Sequence, residues 1–195
     1  MLKKKLRLIL TVAILTLFII IVIGLNASSN HADVEAIKNI LIKSETIADK
    51  AYIDAKNNLK LNTLEEKRYS LIVAYTNEFN TIFSENIGNL IKKRWIDDQF
   101  TNVTDGPDCI DCGITDIKIK DISISDSSRK ATVTAVLTKY LIDRVNKNGK
   151  CYLDKMESEV LTKATLIKVE NNWLIDEYTS NPQNGEVSHI LTEVK

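Results

Sequence analysis

The first pattern along the chain is a long run of apolar residues close to its start. Residues 8–25 contain 18 positions without a charged side chain, and fourteen of them are Leu, Ile, Val or Phe. A helix of that length extends about 27 Å, close to the thickness of a bilayer's hydrocarbon core. Four basic residues within segment 1–7 favour a cytoplasmic N-terminus. The run therefore predicts a transmembrane signal anchor behind a short cytoplasmic tail.

The alternative interpretation of this run is a signal peptide that is removed. Residues 25–27 offer apolar and small side chains where cleavage would need them. The apolar region of a signal peptide is, however, usually about 7–15 residues long, which is shorter than this run. Both interpretations place the rest of the chain, beyond a linker over 26–32, outside the cytoplasm. The protein is expected to be held in the cell membrane in the first case and secreted in the second.

Beyond the linker, apolar residues recur at the three-and-four spacing of amphipathic helices. One apolar stripe runs from residue 33 to 58, and charged residues, including Glu45 and Asp49, cover the opposite side of that predicted helix. Thr63-Leu64-Glu65-Glu66 is a capping box, in which the threonine and the second glutamate satisfy free backbone groups at a helix start. The helical pattern that begins there continues to Trp95, with a break expected near Gly88.

The pattern changes to alternation after a polar stretch over 97–113. Four strands are predicted, over 114–125, 131–145, 150–169 and 173–179. A slip in the alternation near Lys120 indicates a bulge, and residues 154–157 are expected to interrupt the third strand. Asn148-Gly149 and Glu170-Asn171-Asn172 have the composition of tight turns between strands.

This order of elements predicts an α+β fold, since runs of helices followed by runs of strands indicate that class. We expect two or three helices packed on one face of a curved, antiparallel, four-stranded sheet. The domain would cover residues 33–180, a length that suits one hydrophobic core. The tail over 181–195 is expected to be flexible.

The strands and the last hairpin resemble the cone-shaped nuclear-transport-factor-like superfamily, which includes the ketosteroid isomerases. The resemblance rests on Ile117-Lys118-Ile119, Ala131–Val136, Leu161–Val169 and Glu170–Asp176, the last being a tight polar turn followed by Trp-x-Ile-Asp. A membrane helix followed by helices and such a sheet also resembles scaffold subunits of type IV secretion and conjugation machines, and accessory domains of exported cell-wall proteins. The superfamily commonly has a helix between its early strands. Its absence from this pattern fits the secretion scaffolds better than the enzymes.

Cysteines are the candidate reactive residues, and there are three: Cys109, Cys112 and Cys151. An oxidising compartment allows one disulfide among them, with the pairing open. A redox pair would need Cys109 at a helix N-terminus, and the sequence places it in a loop. A zinc site would need four ligands, which these residues do not supply. No metal and no cofactor is therefore predicted.

Other catalytic arrangements find little support in the residues. His31 and His189 lie near the ends of the domain, away from any expected pocket. A carboxylate base with a hydroxyl donor, as the ketosteroid isomerases would imply, has several candidates and no spacing that selects a pair. These candidates are Asp121, Asp143 and Asp176 for the carboxylate and Tyr69, Tyr75, Tyr140 and Tyr178 for the hydroxyl. No catalytic residue is predicted.

Charge adds one exclusion. The chain has 26 basic and 26 acidic residues. Without the four N-terminal cations, 22 basic residues face 26 acidic ones, which is a net charge of about −4. Because such a domain is poorly suited to neutralise phosphates, nucleic acid is not an expected partner.

These observations favour a single-pass membrane protein whose extracytoplasmic domain is a non-enzymatic interaction or assembly module. A scaffold of a conjugation or secretion machine is the specific hypothesis, with a homodimer or a larger envelope assembly as its form. The alternatives are a cone domain that binds a small ligand or catalyses a reaction in its interior, and an accessory cell-wall or sensor module.

A tag attached after Lys195 tests the predicted placement. In intact cells this tag should react with a membrane-impermeant reagent, because the basic flank keeps the opposite end of the chain in the cytoplasm. The same tag placed before Met1 is the control and should react only after permeabilisation. A Lys195 tag that reacts only in permeabilised cells would contradict both the anchor and the signal peptide.

Overall fold

The computed structural model of the protein describes residues 31–58, 65–87, 92, 96, 100, 108–125, 127, 129–183 and 187–194. The predicted cytoplasmic tail over 1–7 and the predicted anchor over 8–25 lie outside these residues. Among the described residues, no helix is both long and apolar enough to cross a membrane.

The chain divides into two compact units, residues 1–37 and 38–195. Residues 31–37, the described part of the first unit, are helical. In the second unit, residues 38–58 form helix α1, in agreement with the predicted amphipathic stripe.

Helix α2, Glu65–Asn80, follows the predicted capping box and has Glu65 and Glu66 in its first turn, where the helix dipole favours negative charge. The helical pattern is interrupted after Asn80, earlier than the break predicted near Gly88. A turn follows Asn80, then an isolated bridge at Phe83 and a short 3₁₀ helix over Glu85–Ile87. Lys92, Ile96 and Phe100 are again helical.

Pairing with the edge of the sheet explains where α2 stops. The amide of Ile175 donates to the Ile82 carbonyl at 2.8 Å, and the amide of Ser84 donates to the Ile175 carbonyl at 2.8 Å. These bonds form a short parallel bridge between Phe83 and Ile175. Backbone groups at a strand edge need partners. Those of Ile175 bind the backbone of Ile82 and Ser84, although the apolar spacing of this segment alone would continue the helix.

An antiparallel sheet follows the helices, which confirms the α+β class. Its strands are β1 Cys109–Ile124, β2 Lys130–Lys147, β3 Lys150–Val169, β4 Asn172–Pro182 and β5 Ser188–Glu193. The first four lie in the order β1-β2-β3-β4, and β5 pairs with β3.

The fifth strand corrects the expectation that residues 181–195 are a flexible tail. Strand β4 pairs with residues 160–169 of β3, which leaves the other half of this 20-residue strand without a partner on that edge. Strand β5 pairs there, with residues 152–157. The predicted interruption of β3 at 154–157 is also absent, because these residues hydrogen-bond to β2 on one side and to β5 on the other.

Strand β1 begins at Cys109, inside the stretch over 97–113 that the sequence assigns to a loop. Bulges between Cys109 and Asp111, and between Ile114 and Asp116, keep this segment in register with β2 although its alternation is irregular. The bulge predicted near Lys120 is confirmed, between Ile119 and Asp121.

Both predicted tight turns are confirmed. Asn148 and Gly149 have φ values of 53° and 75°, and Glu170 and Asn171 have φ values of 47° and 68°. Two-residue hairpins need positive φ at both central positions so that the turn matches the twist of the strands. Asn and Gly reach this region readily, whereas Glu170 does so at a small steric cost.

The core lies between the helices and one face of the sheet. Alternate residues of β2 are buried there: Ala131, Val133, Ala135 and Leu137. Phe79 and Phe83 stack with ring centroids 4.6 Å apart, and Phe83 meets the edge of the Tyr178 ring at 5.8 Å. Large side chains of the helices and the edge segment thus fill the space above the sheet.

Replacing Phe83 by alanine tests the importance of this edge segment. Phe83 is 1% exposed, so Phe83→Ala should lower the free energy of unfolding by about 3–5 kcal/mol, measured by urea denaturation. Val73→Ala, on the exposed side of α2, should lower it by less than about 1 kcal/mol. Equal, small effects of the two substitutions would contradict the packing described here.

Candidate functional site

A buried carboxylate occupies the space between α1 and the sheet. Glu45 accepts a hydrogen bond from the Thr162 hydroxyl at 2.6 Å and a second from the Tyr178 hydroxyl, both to the same oxygen. Glu45 is 8% exposed and Thr162 is fully buried. The sequence places Glu45 on the solvent side of its helix, and the structure corrects this: two hydroxyl donors on β3 and β4 make burial of the carboxylate possible.

The position of Tyr178 depends on a bulge in β4. A register shift opposite Thr165 and Leu166 leaves Asp176 as an extra residue, so Tyr178 returns to the face that also holds Ile175. Burial raises the pKa of Tyr178, and the neighbouring Glu45 carboxylate raises it further. Tyr178 therefore remains a protonated donor at neutral pH. The hydrogen bonds of Glu45 with Thr162 and Tyr178 join α1 to the sheet.

The carboxylate and hydroxyl candidates from the sequence do not form hydrogen-bonded pairs among the described residues, although Asp121 and Tyr178 line one pocket of about 220 Å³. Tyr75 donates to Asp54 at 2.5 Å, and Tyr140 donates to Asp111 at 3.2 Å. Tyr69 is 69% exposed. Among the described residues, no hydrogen bond joins Asp121, Asp143 or Asp176 to any of the four tyrosines named above.

The cysteines lie on strands. Cys109 and Cys112 are buried on β1, and the bulge between them places both side chains on the same face of the strand. All three thiols are free. Burial raises the pKa of Cys109 to about 12 and that of Cys112 to about 11, and nearby carboxylates, Asp143 for Cys109 and Asp49 for Cys112, add to the rise. Thiols of this kind are poor nucleophiles at neutral pH.

The register separates Cys151 from the other two cysteines. Cys109 lies beside Asp143 of β2, which lies beside Asp154 of β3. Cys151 is therefore two strands away, roughly 10 Å at the spacing of a sheet, and three residues further along. A disulfide needs Cα atoms within about 7 Å, so this register excludes Cys151 from pairing with Cys109 or Cys112. In the part of the chain that the structure describes, no cluster of His, Cys, Asp or Glu suits a metal ion.

Both histidines, His31 and His189, are exposed. His189, on β5, has Nδ1 at 3.2 Å from both carboxylate oxygens of Asp154 on β3. This contact helps to hold β5 against β3.

A half-open cleft of about 760 Å³ lies beside the segment that follows α2, a volume within the usual range for ligand sites. Its apolar lining comes from Phe83 and from three residues of β3 and β4, Ile167, Val169 and Leu174. The strand residues alternate with Leu166 and Ile175 of the core, so they lie on the opposite face of the sheet. The polar lining consists of Asn80, Ser84, Glu85, Asn86, Lys92 and Asp176.

Lys92 is the unusual residue of this cleft, because it is 3% exposed and has no carboxylate within ion-pair distance among the described residues. Its ammonium donates to Asn80 Oδ1 at 3.1 Å and to the Phe83 carbonyl at 3.3 Å. Burial lowers the pKa of Lys92, which the charge of Glu85 partly offsets. The sequence contains no signal for this, since a lysine in a helical segment is ordinarily solvated.

Asp176 lines the same cleft on the strand side. Its two oxygens accept from the Ser84 hydroxyl at 2.6 Å and from the Asn86 side-chain amide at 3.4 Å. Both donors are neutral, and the described residues place no cation within ion-pair distance of Asp176. The cleft therefore contains one cation, Lys92, and two carboxylates, Glu85 and Asp176, and the described residues show no ion pair among the three.

A second exposed feature is strand β5. Seven large apolar side chains are exposed among the described residues, and four of them belong to residues 187–194: Val187, Ile190, Leu191 and Val194. Among the described residues β5 pairs with β3 alone, and none of them forms a strand on its other edge. Several β-branched residues in this segment are the one sequence signal that favours a strand here.

No family model matches the chain, and no curated protein matches it. One solved structure that it resembles is the intermembrane space region of the chloroplast protein ARC6, with 12% identical residues and a TM-score of 0.35. The likeness covers 62% of this chain and 99% of that chain. A likeness at this score carries no argument about fold or function.

The raised thiol pKa values predict lower stability in alkali. The ordinary thiol value is 9.0. Between pH 9 and about 11 the unfolded chain therefore loses protons that Cys109 and Cys112 keep in the folded state. Under reducing conditions, the unfolding constant should rise by up to about tenfold per thiol for each pH unit in this window.

Replacing both thiols isolates this effect. The double variant Cys109→Ala, Cys112→Ala should lose less stability between pH 8 and pH 10.5 than the unaltered protein, as measured by urea denaturation. Cys151→Ala, outside the buried pair, is the control and should keep the full loss. An identical pH dependence in all three proteins would show that the two thiols are not shielded.

Proposed function

We propose that the protein is a membrane-anchored, extracytoplasmic interaction module that pairs with a second copy of itself through β5. The observation that carries this proposal is the free edge of β5 together with its exposed Ile190 and Leu191, which are 54% and 46% exposed. Apolar side chains gathered on an unpaired edge favour association with another chain.

The backbone of β5 is suited to accept a strand. Unpaired N–H and C=O groups at a sheet edge form a template for another extended segment. Proteins that avoid such pairing place charges or proline on the edge. Strand β5 has no proline, and its two ionisable residues are engaged within the chain: His189 with Asp154 and Glu193 with Lys150 at 2.9 Å.

A second copy is the occupant that the strand's own sequence favours. Opposed residues of an antiparallel pair share a face of the sheet, so in a two-fold pair the central residue opposes its own copy. With Leu191 at the centre, Leu191 faces Leu191 of the second copy and Ile190 faces Thr192. His189 then faces Glu193, so no like charges oppose each other. Such an interface is isologous and closes at two copies.

The apolar run over 8–25 supports the same proposal. An anchor that holds each copy in one membrane raises the effective concentration of its partner, so a short edge contact can suffice for association. The α+β order, with helices before a curved antiparallel sheet, is compatible with the cone-like domains of secretion and conjugation scaffolds. Glu45 is buried in the interior of the domain and hydrogen-bonded within the chain, which supports a structural role for this interior.

A charge placed on the edge should abolish the pairing. Leu191→Lys puts an ammonium at the centre of the proposed two-fold contact, and we expect it to weaken self-association of the full-length protein by at least about tenfold. Val73→Lys, at an exposed site on α2, is the matched control and should associate like the unaltered protein. The measurement is sedimentation in detergent, with cross-linking in membranes beside it.

Two outcomes would overturn the proposal. One is a full-length protein that stays monomeric at concentrations of about 100 μM and in cross-linked membranes. The other is a Leu191→Lys variant that dimerises as strongly as the Val73→Lys control, which would place any self-contact on another surface.

A further inference from the structure

The cleft beside Lys92 has features that stability does not explain. An ammonium group can donate three hydrogen bonds, and Lys92 uses two of them, both to neutral oxygens. A buried cation normally has a counter-charge, because desolvation disfavours an isolated ion. The cleft thus contains an anion-seeking group close to a solvent-accessible space.

The strand side of the cleft offers the opposite charge. Asp176 is fixed by Ser84 at 2.6 Å and by Asn86 at 3.4 Å, so its carboxylate is held in place without being neutralised. Glu85 adds a second carboxylate to the lining. Two acids beside one lysine disfavour a simple anion as the ligand, since it would meet more repulsion than attraction.

An apolar surface completes the cleft. Ile167, Val169 and Leu174 line it from the sheet, and Val169 is 45% exposed. Covering the apolar residues on this face, which lies away from the core, is favourable because it removes apolar surface from water. A ligand that satisfies every part of the lining needs an anionic group, a cationic group and an apolar body.

We propose that this cleft binds a small zwitterion with an apolar side chain, the chemistry of an apolar amino acid or of a short peptide with free ends. The ligand's carboxylate bonds to Lys92, its ammonium to Asp176 with Glu85 nearby, and its side chain packs against the three apolar residues of the sheet. This binding is independent of pairing through β5, because the cleft contains no residue of that strand.

Calorimetric titration of the full-length protein with four compounds tests the proposal. Leucine should bind, whereas N-acetyl-leucine and leucinamide, each lacking one of the two charges, should bind at least about tenfold more weakly. The dipeptide Leu-Leu distinguishes the two sources of this chemistry: tighter binding than leucine assigns the cleft to peptides, and weaker binding assigns it to free amino acids.

Variants connect each charge to its residue. Lys92→Met should remove the preference for leucine over leucinamide, and Asp176→Asn should remove the preference for leucine over N-acetyl-leucine. Lys163→Met, an exposed lysine outside the cleft, is the matched control and should bind leucine like the unaltered protein.

The proposal is overturned if neither leucine nor Leu-Leu binds at millimolar concentration, or if either singly charged compound binds as well as leucine. Circular dichroism establishes whether Lys92→Met folds. Should that variant fail to fold, the comparison of the four compounds on the unaltered chain still decides the outcome.

Discussion

The edge of β3 that faces away from β2 is longer than any one strand that pairs with it. Strand β3 has 20 residues and pairs with β2 from Lys150 to Ile167. On its other edge, β4 covers residues 160–169 and β5 covers residues 152–157. The division follows from the tight turn after Val169. Strand β4 starts at this turn, runs back along β3 and ends near the middle of β3. The chain must then return to the remaining half, and this creates the exposed edge of β5.

Two buried ionisable groups illustrate different ways of accommodating charge. Glu45 receives two hydroxyl donors from neighbouring strands, so its contacts lie within the folded chain and join the helix layer to the sheet. Lys92 receives two neutral acceptors and borders a cleft, which leaves part of its hydrogen-bonding capacity open. The same rule, that buried charge needs partners, therefore favours a structural role for the first group and a binding role for the second.

Local patterns predicted the elements that depend on local physics. The stripe of α1 and the turn residues Asn148-Gly149 each indicate a backbone preference, and the structure confirms both. The capping box predicts a helix start, and α2 begins at Glu65 within that motif. The α+β class follows from the order of such elements. Features that depend on distant partners were not predictable in this way. The end of α2 is set by the edge of β4, and the burial of Glu45 is set by hydroxyls more than a hundred residues away.

The strand position of Cys109 and Cys112 shows the same limit. Their segment has irregular alternation, because two bulges interrupt it, and a pattern of period two cannot recognise a strand that twice changes phase. Lys92 had no local signal at all, since its burial depends on Asn80 and on the Phe83 carbonyl. The sites proposed for this protein thus lie where long-range pairing places residues against their local preference, and functional sites are expected to show this conflict.

An unprotected strand edge also limits how the domain can exist. Free edges that expose apolar residues favour aggregation, because each added copy presents another edge. A two-fold pair escapes this: it uses the same edge of both chains and leaves neither available for a third. A heterologous strand added to β5 would cover one edge while presenting its own. Under the proposed pairing, the edge of β5 thus favours a closed pair of identical chains over open-ended growth, and for this reason we propose a second copy as its occupant.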